Sequence, residues 1–179
     1  MSQTRIEKLE AKPEFDIFYY MEINQTKRMD QGMLERLEEY WAKWSKKINA
    51  YKLTPSFAKE DEGYLLIFLD EDVEKDVDAL VDAGEADPDS FHNLAITLVM
   101  SSAASIMPEI SEQGCAPLPK PAVEIQDKAE ELGFVWLGEG ESNRRYALFT
   151  HHPYVGGCSS CTQSDTCSAS EYVLGKQMQ

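Results

Sequence analysis

Three of the four cysteines in this chain lie close together near its carboxyl end. Cys158, Cys161 and Cys167 follow the spacing C-x2-C-x5-C. If the chain reverses between the first two, both thiolates can face one metal ion or cluster edge, and a third thiolate after a short loop extends the site. The spacing therefore predicts a metal or iron–sulfur site.

The residues around these cysteines are of types that suit such a site. Gly156 and Gly157 allow backbone conformations closed to other residues. Small Ser and Thr residues separate the cysteines, so backbone N–H groups can approach sulfur and tune the site. No Lys or Arg occurs between residues 146 and 175, so the charge of the thiolates would have to be balanced by metal.

The fourth ligand is open at this point. Cys115, in the proline-rich segment 108–121, is one candidate, provided that this loop folds back onto the hairpin that carries the other three cysteines. His151 or His152 would instead complete a Cys3His zinc site. Both a [4Fe-4S] cluster and Zn²⁺ remain candidates. The cluster is favoured because the neighbours are small and a second C-x2-C pair, usual in zinc ribbons, is absent. The alternative is a Ser-rich terminal segment with free thiols.

The cysteine spacing also resembles part of the SPASM-type auxiliary iron–sulfur motif in the C-terminal extensions of radical SAM enzymes. That motif continues with another Cys after three residues, where this chain has Glu171, and the chain has no C-x3-C-x2-C motif. The resemblance is one of ligand spacing, and it implies cluster binding without radical SAM chemistry.

Charge limits the choice of partners. The formal net charge is −15, and residues 59–89 contain 13 acidic residues but only two lysines. Such a surface repels nucleic acid and anionic membranes, so we predict neither as a partner. It favours a basic protein partner, possibly a redox enzyme, although a solvated acidic surface that aids solubility is the simpler explanation.

The first residues of the chain and its longest apolar run indicate the cellular compartment. Residues 1–13 lack the apolar stretch of a signal peptide, and Ser and Thr interrupt the apolar run 94–107. We therefore predict a cytoplasmic protein. Clustered cysteines in such a protein more often bind metal or do redox chemistry than form disulfides.

Strands and helices alternate irregularly, which predicts an α+β domain of about four strands and four helices. We assign residues 1–14 to a flexible lead-in, 15–155 to the domain, and 156–179 to a Cys-rich loop and tail. Apolar and aromatic runs predict strands at Phe15–Ile23 and Tyr64–Leu69. A terminal hairpin would pair residues 134–137 with residues 145–150.

Helix signals are clear at four places. Apolar residues at steps of three and four follow Asp30 as far as Tyr51, which predicts one long amphipathic helix. An acidic helix begins after Asp70. Asp87 begins a helix that is apolar nearly all round and should be central, and Pro121 begins the last helix.

Two weaker motifs lie elsewhere. Asp70-Glu71-Asp72 after an apolar strand resembles the opening motif of haloacid-dehalogenase-type phosphatases. The resemblance implies that the first Asp is the nucleophile, that the second is a general acid, and that Mg²⁺ is bound. Val73 departs from that motif, and the simpler interpretation is an acidic helix N-terminus. The helix and hairpin of residues 121–150, with Arg144 and Arg145, resemble a winged-helix fragment, but no basic stripe accompanies them.

These observations favour a metal-binding accessory or electron-transfer subunit of a larger redox system, not an enzyme by itself, and they indicate no catalytic residue. The alternative is a non-catalytic interaction domain with a structural zinc. A third possibility is a thiol redox enzyme using Cys158 and Cys161. It is disfavoured because this pair does not open a helix after a strand, where the helix dipole lowers a thiol pKa.

Overall fold

The computed structural model describes residues 3–59, 61–84 and 87–167. Its main sheet is antiparallel and four-stranded, in the order β1-β2-β3-β6, with a separate two-stranded sheet formed by β4 and β5. The strands are β1 (Arg5–Lys8), β2 (Ile48–Thr54), β3 (Gly63–Leu69), β4 (Trp136–Gly138), β5 (Glu141–Ser142) and β6 (Ala147–His152).

Helices cover both faces of the main sheet. They are α1 (Ile17–Ile23), α2 (Gln31–Trp44), α3 (Glu71–Asp82), α4 (Pro88–Ile106), α5 (Glu109–Gln113) and α6 (Val123–Glu131). The predicted α+β class is confirmed.

Strand β3 lies at the centre because it is apolar on both faces. Leu65, Ile67 and Leu69 point into the larger core with α2, α3 and α4, whereas Leu66 and Phe68 point into a smaller core with α6. Successive side chains of a strand face opposite sides, so a continuous apolar run buries both. The predicted strand at 64–69 is therefore correct.

Helix α4 is the central buried helix that the sequence predicts. Leu94, Ala95, Leu98 and Ala103 have no exposed surface. The helix contacts α1, α2, α3 and β3. Acidic helix α3 and the helix start at Asp30 are also confirmed; the Asp30 side chain accepts a hydrogen bond from the N–H of Met33.

The strand predicted at 15–23 is wrong, because this segment forms α1. The Asp16 carboxylate accepts hydrogen bonds from the N–H groups of Phe18 and Tyr19, which starts a helix. Buried Tyr20 anchors it through a hydrogen bond to the Ser90 carbonyl, and Phe18 is 80% exposed. One capping residue and one tertiary anchor outweigh the β-propensity of the aromatic residues.

The long helix predicted from Asp30 to Tyr51 is also wrong at its end. Helix α2 stops at Trp44, residues 45–47 form a turn of 3₁₀ helix, and Ile48 and Tyr51 belong to β2. Residues 48–54 pair with β3 on one side and β1 on the other, so they form a strand, although the spacing of their apolar residues also fits a helix. The same apolar spacing cannot distinguish the two outcomes over so short a stretch.

Two further assignments change with sheet pairing. Residues 5–8, assigned to a lead-in, form β1 along β2. Strand β6 pairs with β3 instead of with residues 134–137, while β4 pairs with β5 across a tight turn in which Glu139 has a φ of 52°. The predicted pairing of 134–137 with 145–150 is therefore wrong. None of the helices in the described ranges is long and apolar enough to cross a membrane.

Candidate functional site

The loop that carries Cys115 is held against the end of β6. It begins where α5 ends at Gly114, whose φ of 66° favours glycine. Buried Thr150 on β6 donates a hydrogen bond through its hydroxyl to the Pro117 carbonyl at 2.6 Å. Just beyond β6, the Tyr154 hydroxyl donates to the Cys115 carbonyl at 2.8 Å. The proline-rich loop thus runs beside the strand that leads to the other cysteines.

The same loop contacts the cysteine segment directly through Leu118. The Leu118 N–H donates a hydrogen bond to the Cys161 sulfur at 3.4 Å, and the Leu118 carbonyl accepts one from the Thr162 N–H at 2.7 Å. Backbone N–H groups aimed at sulfur are a feature of cysteine metal sites, where they stabilise thiolate charge.

Local turns arrange the other three cysteines. Gly157, with a φ of 93°, precedes a turn of 3₁₀ helix at Cys158–Ser160, and the Cys161 N–H donates to the Cys158 carbonyl at 3.2 Å. The Cys167 N–H donates to the Gln163 carbonyl at 2.9 Å. This C-x2-C turn is the chain reversal that the spacing predicts. Residues 168–179 of the predicted Cys-rich segment, with Glu171, lie outside the described residues.

The pKa of the Cys115 thiol is raised above its ordinary value. Burial raises the pKa of the Cys115 thiol, and the charges of Cys161, Cys167 and Cys158 add to this increase. All four cysteines are free thiols, and Cys115 and Cys167 are exposed. A cation placed among them would reverse the mutual repulsion of their thiolates.

As they stand, these side chains do not form a finished coordination sphere. Within residues 3–59, 61–84 and 87–167, no group of three or more His, Cys, Asp or Glu side chains is placed to hold a metal ion. Metal binding would require the thiols to converge further.

His151 and His152 point to opposite faces of β6. The His151 ring stacks on Tyr64, with centroids 5.2 Å apart. His152 pairs with Gly63 of β3, and its Nδ1 is buried without a hydrogen-bond partner among the described residues. Burial lowers the pKa of both imidazoles below the ordinary value, which favours their neutral forms. At most one of them can face the thiols, because neighbouring strand residues alternate.

The acids after β3 have structural partners. Asp70 precedes α3 and accepts a hydrogen bond from the Asn49 side chain at 2.7 Å. Asp72 pairs with Lys47 at 3.1 Å, and this ion pair holds the pKa of Asp72 below its ordinary value. These contacts agree with an acidic helix N-terminus and offer no support for a phosphatase site.

The two arginines of the suggested wing differ in their surroundings. Arg145 forms a bidentate ion pair with Asp78, at 2.7 and 3.2 Å, so it is neutralised within the fold. Arg144 is half-buried, and its Nε–H has no hydrogen-bond partner among the described residues. Neither forms part of a basic stripe.

The sequence reasoning missed the residues that join the two cysteine segments. Thr150 and Tyr154 flank the histidines, but nothing in their spacing indicates that they bind residues 115–117. The role of Leu118 depends on its backbone, which side-chain motifs do not report. Comparison of the chain with models of protein families, with curated proteins and with solved structures finds no match.

Proposed function

We propose that Cys115, Cys158, Cys161 and Cys167 together bind a metal centre, with a [4Fe-4S] cluster favoured over Zn²⁺. The observation that carries this proposal is the attachment of the Cys115 loop to the cysteine segment through Leu118. Two segments separated by more than 40 residues are joined by hydrogen bonds of Leu118, three residues from Cys115, and the charges of the other three thiols contribute to the raised pKa of Cys115.

Such a centre suits an accessory or electron-transfer subunit of a larger redox system. Cys115 and Cys167 are exposed, so a centre that they hold would lie near the surface, where electrons can reach a partner. Leu137, on the hairpin that adjoins this region, is 65% exposed and offers an apolar contact. N–H···S bonds and burial by the partner would set the reduction potential.

The proposed partner is a protein with a basic surface. Helix α3 is densely acidic, but its own ion pairs neutralise part of that charge: Glu71 with Lys75, Asp72 with Lys47, and Asp78 with Arg145. These pairs are exposed and weak, so a basic partner can replace them. Binding to it should weaken as salt increases.

The test is anaerobic purification followed by an absorption spectrum and metal analysis. Broad visible absorption with about four irons per chain supports the cluster. Single Cys→Ser variants at each of the four positions should lose metal, whereas the control Ser159→Ala in the same loop should keep it. Protein without iron or zinc, after both anaerobic isolation and reconstitution, would refute the proposal.

Zinc with colourless protein would favour the second candidate function, an interaction domain with a structural metal. The exposed apolar side chains Phe18, Phe57 and Val123 favour this candidate, because each is more than 70% exposed. In that case, removing zinc with a chelator should lower the thermal stability of the protein without changing any redox property.

A further inference from the structure

A second candidate site lies beside the cysteine loop. A cavity of about 660 Å³ opens between the Cys115 loop and the β4–β5 hairpin, within the size range of small-molecule sites. Its lining includes Cys115, Arg144, Phe134, Trp136, Leu148 and Phe149. Two arginines, Arg144 and Arg145, and several apolar side chains therefore share this space.

The apolar part of the cavity is a rigid aromatic wall. The ring of Trp136 contacts Phe134 edge-on at a centroid distance of 4.8 Å, and Phe149 likewise at 4.9 Å. Phe134 and Phe149 are buried, at 2% and 4% exposure, so packing holds their rings in place. A fixed wall of rings suits a flat apolar group.

Arg144 is the unusual member of this lining. The chain has 32 acidic residues and 17 basic ones, yet Arg144 has no ion pair with a carboxylate within the described ranges. Its neighbour Arg145, which also lines the cavity, is neutralised by Asp78. A half-buried guanidinium without a partner is costly, and a bound carboxylate would compensate for it.

The backbone around Arg144 is fixed by local contacts. The Arg144 N–H donates to the Ser142 hydroxyl, and that hydroxyl donates to the Arg144 carbonyl at 2.8 Å. The guanidinium lies near Gly133, whose carbonyl already accepts a hydrogen bond from the Asn143 side chain. The Arg144 Nε–H is buried and has no hydrogen-bond partner among the described residues, and a guanidinium presents its donors in the fork geometry that matches a carboxylate.

We propose that this cavity binds a small aromatic carboxylate, with its carboxylate on Arg144 and its ring against the Trp136 wall. Glu141 also lines the cavity and would oppose an anion. It is exposed, so solvent screens its charge more than that of half-buried Arg144. The proposal goes beyond the metal centre and does not require metal to be bound.

The test is a titration of the full-length protein with benzoate, followed by ligand-observed NMR at physiological ionic strength. Benzamide keeps the ring without the charge, and acetate keeps the charge without the ring. We expect benzoate to bind about tenfold or more tightly than either, since a hydrogen bond to a charged group and a buried ring each contribute this much. Inorganic phosphate is the fourth probe.

Arg144→Gln should weaken benzoate binding about tenfold or more, whereas Lys46→Gln, which removes one exposed positive charge elsewhere, should leave it unchanged. Arg144→Lys keeps the charge but loses the fork, so an intermediate affinity is expected. Near-ultraviolet circular dichroism verifies that each variant is folded.

The opposite results would overturn the proposal. They are equal binding of benzoate and benzamide, tighter binding of phosphate than of benzoate, no effect of Arg144→Gln, or no benzoate binding at millimolar concentration. Metal content is measured on the same samples. Benzoate binding by protein that holds no iron or zinc after both anaerobic isolation and reconstitution would refute the metal centre alone, and metal without benzoate binding would refute this inference alone.

Discussion

The Leu118 N–H lies 3.4 Å from the sulfur of Cys161, 43 residues further along the chain. The Leu118 carbonyl accepts a hydrogen bond from the next residue, Thr162. A single residue thus contacts the cysteine segment through both of its backbone polar groups. The position of the cysteines depends on this long-range contact as well as on their own spacing.

We first predict that Leu118→Pro lowers the metal content without removing a cysteine. Proline has no N–H, so the hydrogen bond to Cys161 is lost and the thiolate charge is less stabilised. Leu118→Ala keeps the N–H and is the matched control. The measurement is metal per chain after anaerobic purification. Equal metal content in both variants would contradict the proposed role of this hydrogen bond.

Thr150→Val should destabilise the protein by about 1–3 kcal/mol. Valine has nearly the same shape, but it leaves the Pro117 carbonyl without the hydrogen bond that buried Thr150 now donates. Urea unfolding measures the change. Thr166→Val, at an exposed position, should cost much less. If both substitutions cost the same, the contact between β6 and the Cys115 loop contributes little to stability.

Gly63→Ala should destabilise the fold by about 1–3 kcal/mol, through steric overlap. A Cβ at Gly63 would lie 2.6 Å from the backbone oxygen of Leu53, so β2 and β3 would have to move apart. Thermal or urea unfolding gives the value. Lys8→Ala, on exposed edge strand β1, is the control and should have a small effect. A Gly63→Ala protein as stable as the parent would show that these strands can adjust.

Stability should fall as pH decreases below about 6.5. Burial lowers the pKa of His151 and His152 from their ordinary value of 6.5, and Lys52 adds to the decrease for His152. The unfolded chain therefore binds protons in a range where the folded chain does not. The stabilisation is present above pH 6.5 and is lost as pH falls through the lower folded values.

Urea unfolding between pH 7.5 and pH 5 measures this dependence. His152→Gln should flatten it, because glutamine does not titrate, whereas exposed Lys46→Gln should leave it unchanged. A curve for His152→Gln that is as steep as that of the parent would assign the effect to other groups.

Elements whose signals are local could be predicted from the amino-acid sequence. The apolar run of β3, the stripe of α3, the nearly all-round apolar pattern of α4 and the cap at Asp30 each require only neighbouring residues, and the structure has all four. The C-x2-C turn is local in the same sense, because the cysteines and Gly157 lie in one short stretch.

Elements whose conformation depends on a distant partner could not be predicted in this way. Residues 48–51 form a strand because β1 and β3 lie beside them, and α1 is held by the bond from Tyr20 to Ser90. The position of Cys115 depends on hydrogen bonds to Thr150, Tyr154 and Cys161. Such contacts have no periodic signature, because the energy that selects them comes from groups far apart in the chain.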